Sequence, residues 1–506
     1  MKKLLKWWNW LDNNILYLFL YIFIFLIPLY FKFPFIDIEY TYIYIRLEDL
    51  FVGVFYLLFV IQLIRGKVRL QTKFLLPVLL FWVSVFISFF VGHFILDTVP
   101  VFQLGFLHAL RRVEYMTIFF VAMSLVTSKK ILLRLLMLYI TTVFLVSLYG
   151  IGQRLFDLPA VQTANPEYAR GLILHLTPEA RISSTFGGHF DLSAYMALSI
   201  PVTIGFYLYT KSKLALLVIA LAISNLVYTV QRISFVAYAF TSTIFLFIVK
   251  RFLLFLFIVI VSGVMIFISG DLTERFAQTF QLKQIFVNKQ TGSVDIDQTI
   301  NVKELPAGNY EISLLKSKNQ KSRSESEKKE IEALANKKAL EEAKLKGISV
   351  NSAEFKNLVN QIASVIVIED TILCDISCST RLQVEWPRAI AAFISSPFFG
   401  TGASSLTEAT DNDYLRWLGE FGAIGTILFL YILSAILVYH LKSRKRLDEK
   451  EKQLYLGFIF GVLALLINAT YIDVFEASKV AFSFWLLAGI FTGYLLTIEK
   501  GKNIKS

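Results

Sequence analysis

The chain has little of what most enzyme chemistry uses. Its 506 residues include two cysteines, Cys374 and Cys378, too few for disulfides to hold a fold together. With three residues between them they are either a local disulfide or an incidental pair, since a continuous helix holds such side chains poorly for a bond. The five histidines (His93, His108, His175, His189 and His440) are scattered. No cage of carboxylates accompanies them, so no metal is expected. No P-loop or dinucleotide-binding fingerprint occurs, and no cofactor is expected. No internal repeat is evident. The basic loops are too short to hold a signalling domain, which weighs against a sensor.

What the chain has in quantity is apolar surface. Hydrophobic residues make up 56%, with 47 phenylalanines, and the mean hydropathy is +0.61. A soluble core does not need so much, so the composition points to a polytopic membrane protein. The net charge of +12 looks basic enough for nucleic acid. Its distribution is topological instead, and no nucleic-acid partner is expected. At about 20 residues per span, apolar stretches predict twelve spans near 14–31, 47–64, 75–96, 110–127, 131–152, 189–209, 213–230, 233–249, 252–270, 413–441, 453–470 and 479–497. The first follows the basic MKKLLKWWNW, has no small-residue cleavage site after it, and reads as a retained span.

The loops between these stretches alternate. One set carries Lys2, Lys3 and Lys6; Arg65, Lys67, Arg69 and Lys73; Lys129 and Lys130; Lys211 and Lys213; Lys250 and Arg251; the cluster 441–452; and Lys500, Lys502 and Lys505. This set, with both termini, is expected in the cytoplasm. The other set (36–49, 153–188 and 271–412) faces outward. The expected architecture is an all-α polytopic membrane protein of about 12 transmembrane helices, with a small α+β extracytoplasmic lobe inserted before the tenth span. Residues 1–270 form an N-terminal bundle of about nine spans, 271–412 an extracytoplasmic loop, and 413–506 the C-terminal spans.

The lobe is expected at about 285–370. Val294, Ile296, Ile300 and Val302, then Tyr310, Ile312 and Leu314, alternate on either side of Pro306, Gly308 and Asn309, which predicts a hairpin. Ser324 and Glu327 fit a capping box. It heads a charge-rich helix with pairs Glu325–Lys329 and Glu342–Lys346 and a stop at Gly347. That helix reads as a solvated face. Phe355, Leu358, Val359 and Ile362 give a second helix one apolar face. The stretch 383–397, with Trp386, Ala389, Ala392 and Phe393, is amphipathic and suits a membrane surface; Pro397, Gly400 and Gly402 end it.

Three arginines, Arg181, Arg232 and Arg381, lie at the mouths of apolar segments on the outward face. Positive charge is normally scarce there, and arginine within hydrocarbon costs roughly 2.5–3.5 kcal/mol at a helix centre. Each either snorkels to the interface or holds an anion. Arg181 opens RISSTFGGHFDLSAYMALSIPV. There Gly187 and Gly188 serve either close approach of a ligand at a helix start or a re-entrant turn. Arg232 sits in the tight turn YTVQRISF. Arg381 opens STRLQVEWPRAIAAFISSPFFGTGASS, which precedes TDNDYLRWLGEFGAIG. Asp411, Asn412, Asp413 and Glu420 of that last block either cap a helix and complement its dipole or include a general base facing a phosphorylated substrate.

In this order the blocks resemble the O-antigen ligase and O-antigen polymerase (Wzy/WaaL-like) family of bacterial membrane proteins, from about Arg181 to Gly425. The resemblance rests on RISSTFGGHFDLSAY, the T-x-x-Arg of YTVQRISF, the R-x4-W…P-x-x-G-x-G run ending in PFFGTG, and DNDYL…GEFGAIG. The twelve-span layout with a large outer loop adds to it. It implies a metal-independent, inverting glycosyltransferase of the cytoplasmic (inner) membrane, with its active site on the extracytoplasmic face. The donor would be a polyprenyl-diphosphate-linked glycan and the acceptor a sugar or a lipid-linked sugar. Membrane lipids and proteins of a polysaccharide assembly pathway would be partners. Arg181, Arg232 and Arg381 would bind the diphosphate, while Asp411 would activate the acceptor hydroxyl and Asn412 help to place it. Arg170, Arg111, Arg112, His189 and Tyr414 are secondary candidates. Ligases of the family have His-Asn where this chain has Asp411-Asn412, and Ser is frequent where it has Gln231. The outer loop is also longer than usual. The Asp-Asn pair favours a polymerase, with a ligase as the alternative. A lipid-linked oligosaccharide transporter would also hold diphosphate with arginine, but calls for charge deep in the bundle and repeated halves.

Overall fold

The structure, a computed structural model, describes residues 2–37, 44–163, 171–177, 180–278, 280–288, 294–295, 311–312, 325–374, 376–406 and 410–503. It divides into two compact units, Met1–Thr273 with Trp386–Ser506, and Glu274–Glu385. In chain order the first unit runs α1 (Lys2–Leu29), β1 (Pro34–Asp37), β2 (Tyr44–Arg46), α2 (Leu47–Ile64), α3 (Leu75–Phe94), α4 (Phe102–Leu125), α5 (Lys129–Leu155), β3 (Ala160–Gln162), β4 (Leu172–Leu174), α6 (His189–Thr210), α7 (Lys213–Tyr228), α8 (Arg232–Ile248) and α9 (Phe252–Ser269). The helix α10 (Asp271–Gln278) leads into the second unit: β5 (Phe280–Asn288), β6 (Val294–Asp295), β7 (Glu311–Ile312), α11 (Glu325–Lys346), α12 (Ala353–Val365), β8 (Ile366–Cys374) and α13 (Ile376–Thr380). The chain then completes the first unit with α14 (Trp386–Ser395), α15 (Asp413–Ser443), α16 (Glu449–Asn468) and α17 (Ser478–Asn503).

The protein is mostly helical, and each of the twelve apolar stretches forms a helix. Among the described residues nine helices (α1, α2, α3, α5, α6, α9, α15, α16 and α17) are long and apolar enough to cross a membrane, and α7 and α8 are shorter apolar helices. This is a multi-pass membrane protein. The remaining helix, α4, carries Arg111, Arg112 and Glu114 within its 24 residues.

Small residues decide which helices lie at the centre. A Cβ on Gly457 would meet the Pro201 carbonyl at 2.6 Å, and one on Gly461 the Leu198 carbonyl at 2.6 Å, so α16 lies against the backbone of α6. On α17, a Cβ on Gly489 would meet the Phe119 carbonyl at 2.5 Å and one on Gly493 the Met123 carbonyl at 2.7 Å, which seats it on α4. Close backbone approach of this kind is how helices gain packing energy where lipid is as apolar as leucine. The leucine- and phenylalanine-rich α9 has no such contact at Gly263 and turns most of its side chains outward.

Ion pairs tie one end of this bundle together. Arg65 after α2 pairs with Asp12 of α1 at 2.5 Å, and Lys129 of α5 with Glu451 of α16 at 2.9 Å. Glu499 of α17 takes Arg446 at 3.3 Å and Lys73 at 3.5 Å. The basic loops therefore share one end, and the starts of α2, α4, α6, α8, α15 and α17 lie at the other.

In the second unit the strand order is β6-β5-β8-β7, with every pairing antiparallel. This corrects the predicted hairpin. Its two apolar runs, where described, pair with β5 and β8 and lie on opposite edges of the sheet. The turn residues Pro306, Gly308 and Asn309 fall outside the described residues, as does Ser324. The charge-rich α11 also differs from a simple solvated face. Ala335, Ala339 and Ala343, spaced by four, are buried against Phe355 and Val359 of α12. Ser352 caps α12 by accepting the Phe355 amide at 3.1 Å, and the Glu342–Lys346 pair forms at 2.5 Å. Cys378 is disulfide-bonded.

Candidate active site

The end of the first unit away from the basic loops is built from turns whose backbone groups are held by side chains. The 181–188 turn is clamped by Gln153 near the end of α5, which is 2% exposed. Its Oε1 accepts the amides of Ser183 at 3.2 Å and Ser184 at 2.7 Å, and its Nε2 donates to the carbonyls of Pro159 at 3.1 Å and Ser184 at 3.0 Å. Ser184 itself is left-handed, with φ 51°. Lys479, at the head of α17, is fully buried. It donates to the carbonyls of Pro28 at 3.0 Å, Tyr30 at 2.5 Å and Thr185 at 2.8 Å. Buried backbone groups need such partners. A Cβ on Gly187 would collide with the Thr163 hydroxyl. Gly187 therefore serves a turn packed within the protein.

Arg181 emerges from this turn, partly exposed, and its Nη1 donates to Nε2 of His189 at 2.8 Å. Nε2 accepting from a guanidinium leaves the imidazole proton on Nδ1. His189 is the first residue of α6. Two residues on, Asp191 lies 3.8 Å from the Lys32 ammonium, which is 7% exposed. Burial holds the Lys32 pKa below the ordinary lysine range; Asp191 opposes that shift, and Arg46 and Arg111 add to it.

Three helix starts meet on the last turn of α16. Ile182 donates to the Tyr228 carbonyl at 3.3 Å, which joins the 181–188 turn to the α7–α8 turn, and Arg232 is the first residue of α8. The Ser193 hydroxyl of α6 and the Ser234 hydroxyl of α8 are 2.9 Å apart, and Ser234 also donates to the Asn468 carboxamide. From α15, the Asp413 amide donates to the Ala469 carbonyl at 2.9 Å. Asn412 Nδ2 donates to the Thr470 carbonyl at 3.1 Å, and the Tyr414 hydroxyl to the Leu466 carbonyl at 2.9 Å. Arg181, His189, Arg232, Asp411, Asn412 and Tyr414 thus belong to turns and helix starts joined around one helix end.

The Asp411-Asn412-Asp413 run divides by role. Asn412 caps α15, its Oδ1 accepting the Leu415 amide at 3.1 Å, so both ends of its carboxamide are engaged. Asp413, fully buried, accepts the amides of Val474 at 2.8 Å and Phe475 at 3.2 Å. Asp473 answers from the facing loop, accepting the amides of Thr410 at 2.9 Å and Asn412 at 3.0 Å and the Arg416 guanidinium at 2.8 Å. Asp411 is partly exposed and left-handed, with φ 49°.

Beside this turn lies a buried charge network. Arg416 Nε lies 3.3 Å from Glu420 Oε1, and Arg112 pairs with Glu476 and stands 4.0 Å from Glu420 Oε2. Arg112 is thus an internal ion-pair partner. Arg111 on the same helix donates to the Tyr115 hydroxyl at 3.0 Å.

The PFFGTG motif explains why Glu420 sits in a broken helix. At Gly422, φ is 63° and ψ −170°, so α15 is interrupted. The amides of Thr401 and Gly402 donate to the freed carbonyls of Gly419 at 2.9 Å and Glu420 at 3.0 Å. The carbonyls of Pro397 and Phe398 accept the freed amides of Ala423 at 2.8 Å and Ile424 at 3.2 Å. The two glycine motifs are two halves of one joint.

Arg381 belongs to the second unit, where its Nη1 donates to the carbonyl and hydroxyl of Ser377, each at 2.5 Å. Arg170 lies outside the described residues. Sequence reasoning passed over Lys32, Arg46, Lys479, Arg416, Asp473 and Glu476. The test that singled out the three arginines, a cation on the outward side, finds Lys32, Arg46 and Lys479 as well. No family model matches the chain, and no curated protein matches it significantly.

Proposed function

We propose that this protein transfers a glycan from a polyprenyl diphosphate to an acceptor hydroxyl at the outer face of the cytoplasmic membrane, as a surface-polysaccharide polymerase of the O-antigen polymerase and ligase type. The observation that carries the reading is the meeting of helix starts: Arg181 and Arg232 stand beside the first turns of α6 and α8, at the end opposite the basic loops. Helix N-termini and arginine both favour a phosphate. In this reading α4, α7 and α8 complete twelve spans, and both termini are cytoplasmic.

Transfer breaks the bond between the anomeric carbon and the diphosphate oxygen and forms a bond from that carbon to the acceptor oxygen, with inversion. The acceptor proton passes to the Asp411 carboxylate. The diphosphate leaves as an anion whose charge Arg181 and Arg232 stabilise. His189 positions Arg181 through their hydrogen bond, and Asn412 positions Asp411 by capping α15.

The transporter reading gains one observation, the buried Arg112–Glu476–Glu420–Arg416 network. Glu420 lies seven residues into α15, about 10 Å from its start at 1.5 Å per residue, which keeps it near the same end. A transfer assay in detergent micelles separates the two, because a micelle has no sides to transport between. The purified protein should lengthen a lipid-linked glycan, and Arg232→Ala and Asp411→Ala should each lose most of that activity. Undiminished transfer by both folded variants would sink the assignment.

A further inference from the structure

At the opposite end of the bundle, unrelated to the proposed chemistry, a cavity of about 590 Å³ opens between α1, the end of α2, the loop that follows it and the end of α4. That volume is in the range of small-molecule sites. Asp12 and Asn13 line it from α1, Gln62 from α2, Lys67 and Arg69 from the loop, and Ser124 from α4. The one carboxylate in this wall is neutralised, because Asp12 takes Arg65 in two hydrogen bonds, at 2.5 and 2.8 Å, and Lys67 in another. Lys67 and Arg69 line the wall and Arg65 pairs with Asp12 beside it, so cations outnumber the one carboxylate and leave the region positive. Arg69 is exposed.

Gln62, 4% exposed, braces this wall: its Nε2 donates to the Asp12 carbonyl at 3.1 Å and carboxylate at 3.0 Å. The cavity therefore suits an anion. The depth argues for a lipid. Trp7, Trp8 and Trp10 are exposed on α1 just before Asp12, at 56%, 63% and 54%, and tryptophan concentrates at the headgroup level of a bilayer. From the mouth, exposed Ile61 and Ile64 continue along α2 as an apolar surface for acyl chains.

We propose that this cavity binds the headgroup of an anionic glycerophospholipid, with the phosphodiester against Lys67 and Arg69. Basic pockets between helices on the cytoplasmic side are suited to such headgroups. The test is thermal unfolding of the purified full-length protein in neutral detergent, titrated separately with phosphatidylglycerol, phosphatidylcholine and inorganic phosphate. Phosphatidylglycerol should raise the unfolding temperature saturably, and the other two should not. Arg69→Gln, at an exposed position that leaves folding intact, should weaken the apparent affinity about tenfold, the weight of one charge-assisted contact of about 1.4 kcal/mol. Lys445→Gln, on the exposed basic stretch after α15, should leave it unchanged. Equal loss in Arg69→Gln and Lys445→Gln would reduce the effect to general surface charge and overturn the site. Equal stabilisation by inorganic phosphate, or by phosphatidylcholine, would overturn the lipid assignment.

Discussion

Gly422→Ala tests the joint between the two glycine motifs. With φ 63° and ψ −170°, Gly422 occupies backbone space that is essentially glycine-only and costs other residues about 1–3 kcal/mol. An added Cβ would also lie 2.5 Å from the Gly400 nitrogen and 2.5 Å from the Phe398 carbonyl carbon and oxygen. The neighbour is backbone and cannot rotate away. Relieving the clash separates the 397–402 turn from α15 and endangers the four hydrogen bonds that cross the joint. Losing two of them at about 1 kcal/mol each brings the expected destabilisation to about 3–5 kcal/mol. Gly263→Ala is the control. Its Cβ meets nothing within 4 Å in the middle of α9, so the better helix former should be neutral or gain up to about 1 kcal/mol. Denaturant titration of both variants in the same detergent, followed by tryptophan fluorescence, measures the difference. A Gly422→Ala protein as stable as Gly263→Ala would refute the broken-helix joint.

Gln153→Leu should destabilise the fold by about 3 kcal/mol or more, since it strands the Ser183 and Ser184 amides and the Ser184 carbonyl at about 1–3 kcal/mol per unsatisfied group; the same titration measures it. Arg112→Met leaves Glu476 without its ion-pair partner in the interior, while Glu420 keeps Arg416, and should cost about 3–5 kcal/mol, with partial recovery in the Arg112→Met/Glu476→Leu double variant. Burial holds the Lys32 pKa below the ordinary lysine value, so any donor affinity carried by its charge is present at low pH and lost as pH rises through that lowered pKa. Lys32→Arg should move the loss to higher pH, as read from the pH profile of donor binding.

Much of the helical layout was legible because apolar length carries it: all twelve stretches are helices. The second unit was harder for a physical reason. Strands β5 and β8, FQLKQIFVN and IVIEDTILC, are nine residues each and pair with one another over their whole length, yet they lie about eighty residues apart in sequence. Nothing local reports such a partner, whereas Pro306, Gly308 and Asn309 advertised a turn between two runs whose described residues pair with β5 and β8 instead. In α11, alanine hid the buried face, since a stripe at 335, 339 and 343 scores weakly beside so many charges. At the candidate site the Asp411-Asn412-Asp413 run read as either a cap or a base. Asn412 and Asp413 hold backbone, as the cap reading has it, and Asp411 is partly exposed. Asp473, 61 residues from Asn412, has no sequence signal that separates it from any loop aspartate.

The division of labour in these turns bears on how a membrane protein could bind a diphosphate at all. Six helix starts gathered at one end already carry partial positive charge, and Lys32, Arg46, Arg181, Arg232 and Lys479 add whole charges. Without support such a surface repels itself. The support is specific: Lys479 is spent on three carbonyls, Lys32 faces Asp191 and Arg46 faces Glu48 at 3.8 Å each, and Arg416 is neutralised by Asp473 and Glu420. The turns that carry Arg181 and Arg232 are meanwhile held by Gln153 and the Ser193–Ser234–Asn468 chain, within the protein itself. An electropositive end whose geometry is fixed before the anion arrives is what preorganised stabilisation of a departing diphosphate requires. It also explains why Gly187, which the sequence left as either a ligand contact or a turn residue, belongs to the scaffold, as do Gly400, Gly402 and Gly422: their work is to let the chain pack closely so that the charged side chains do not have to move.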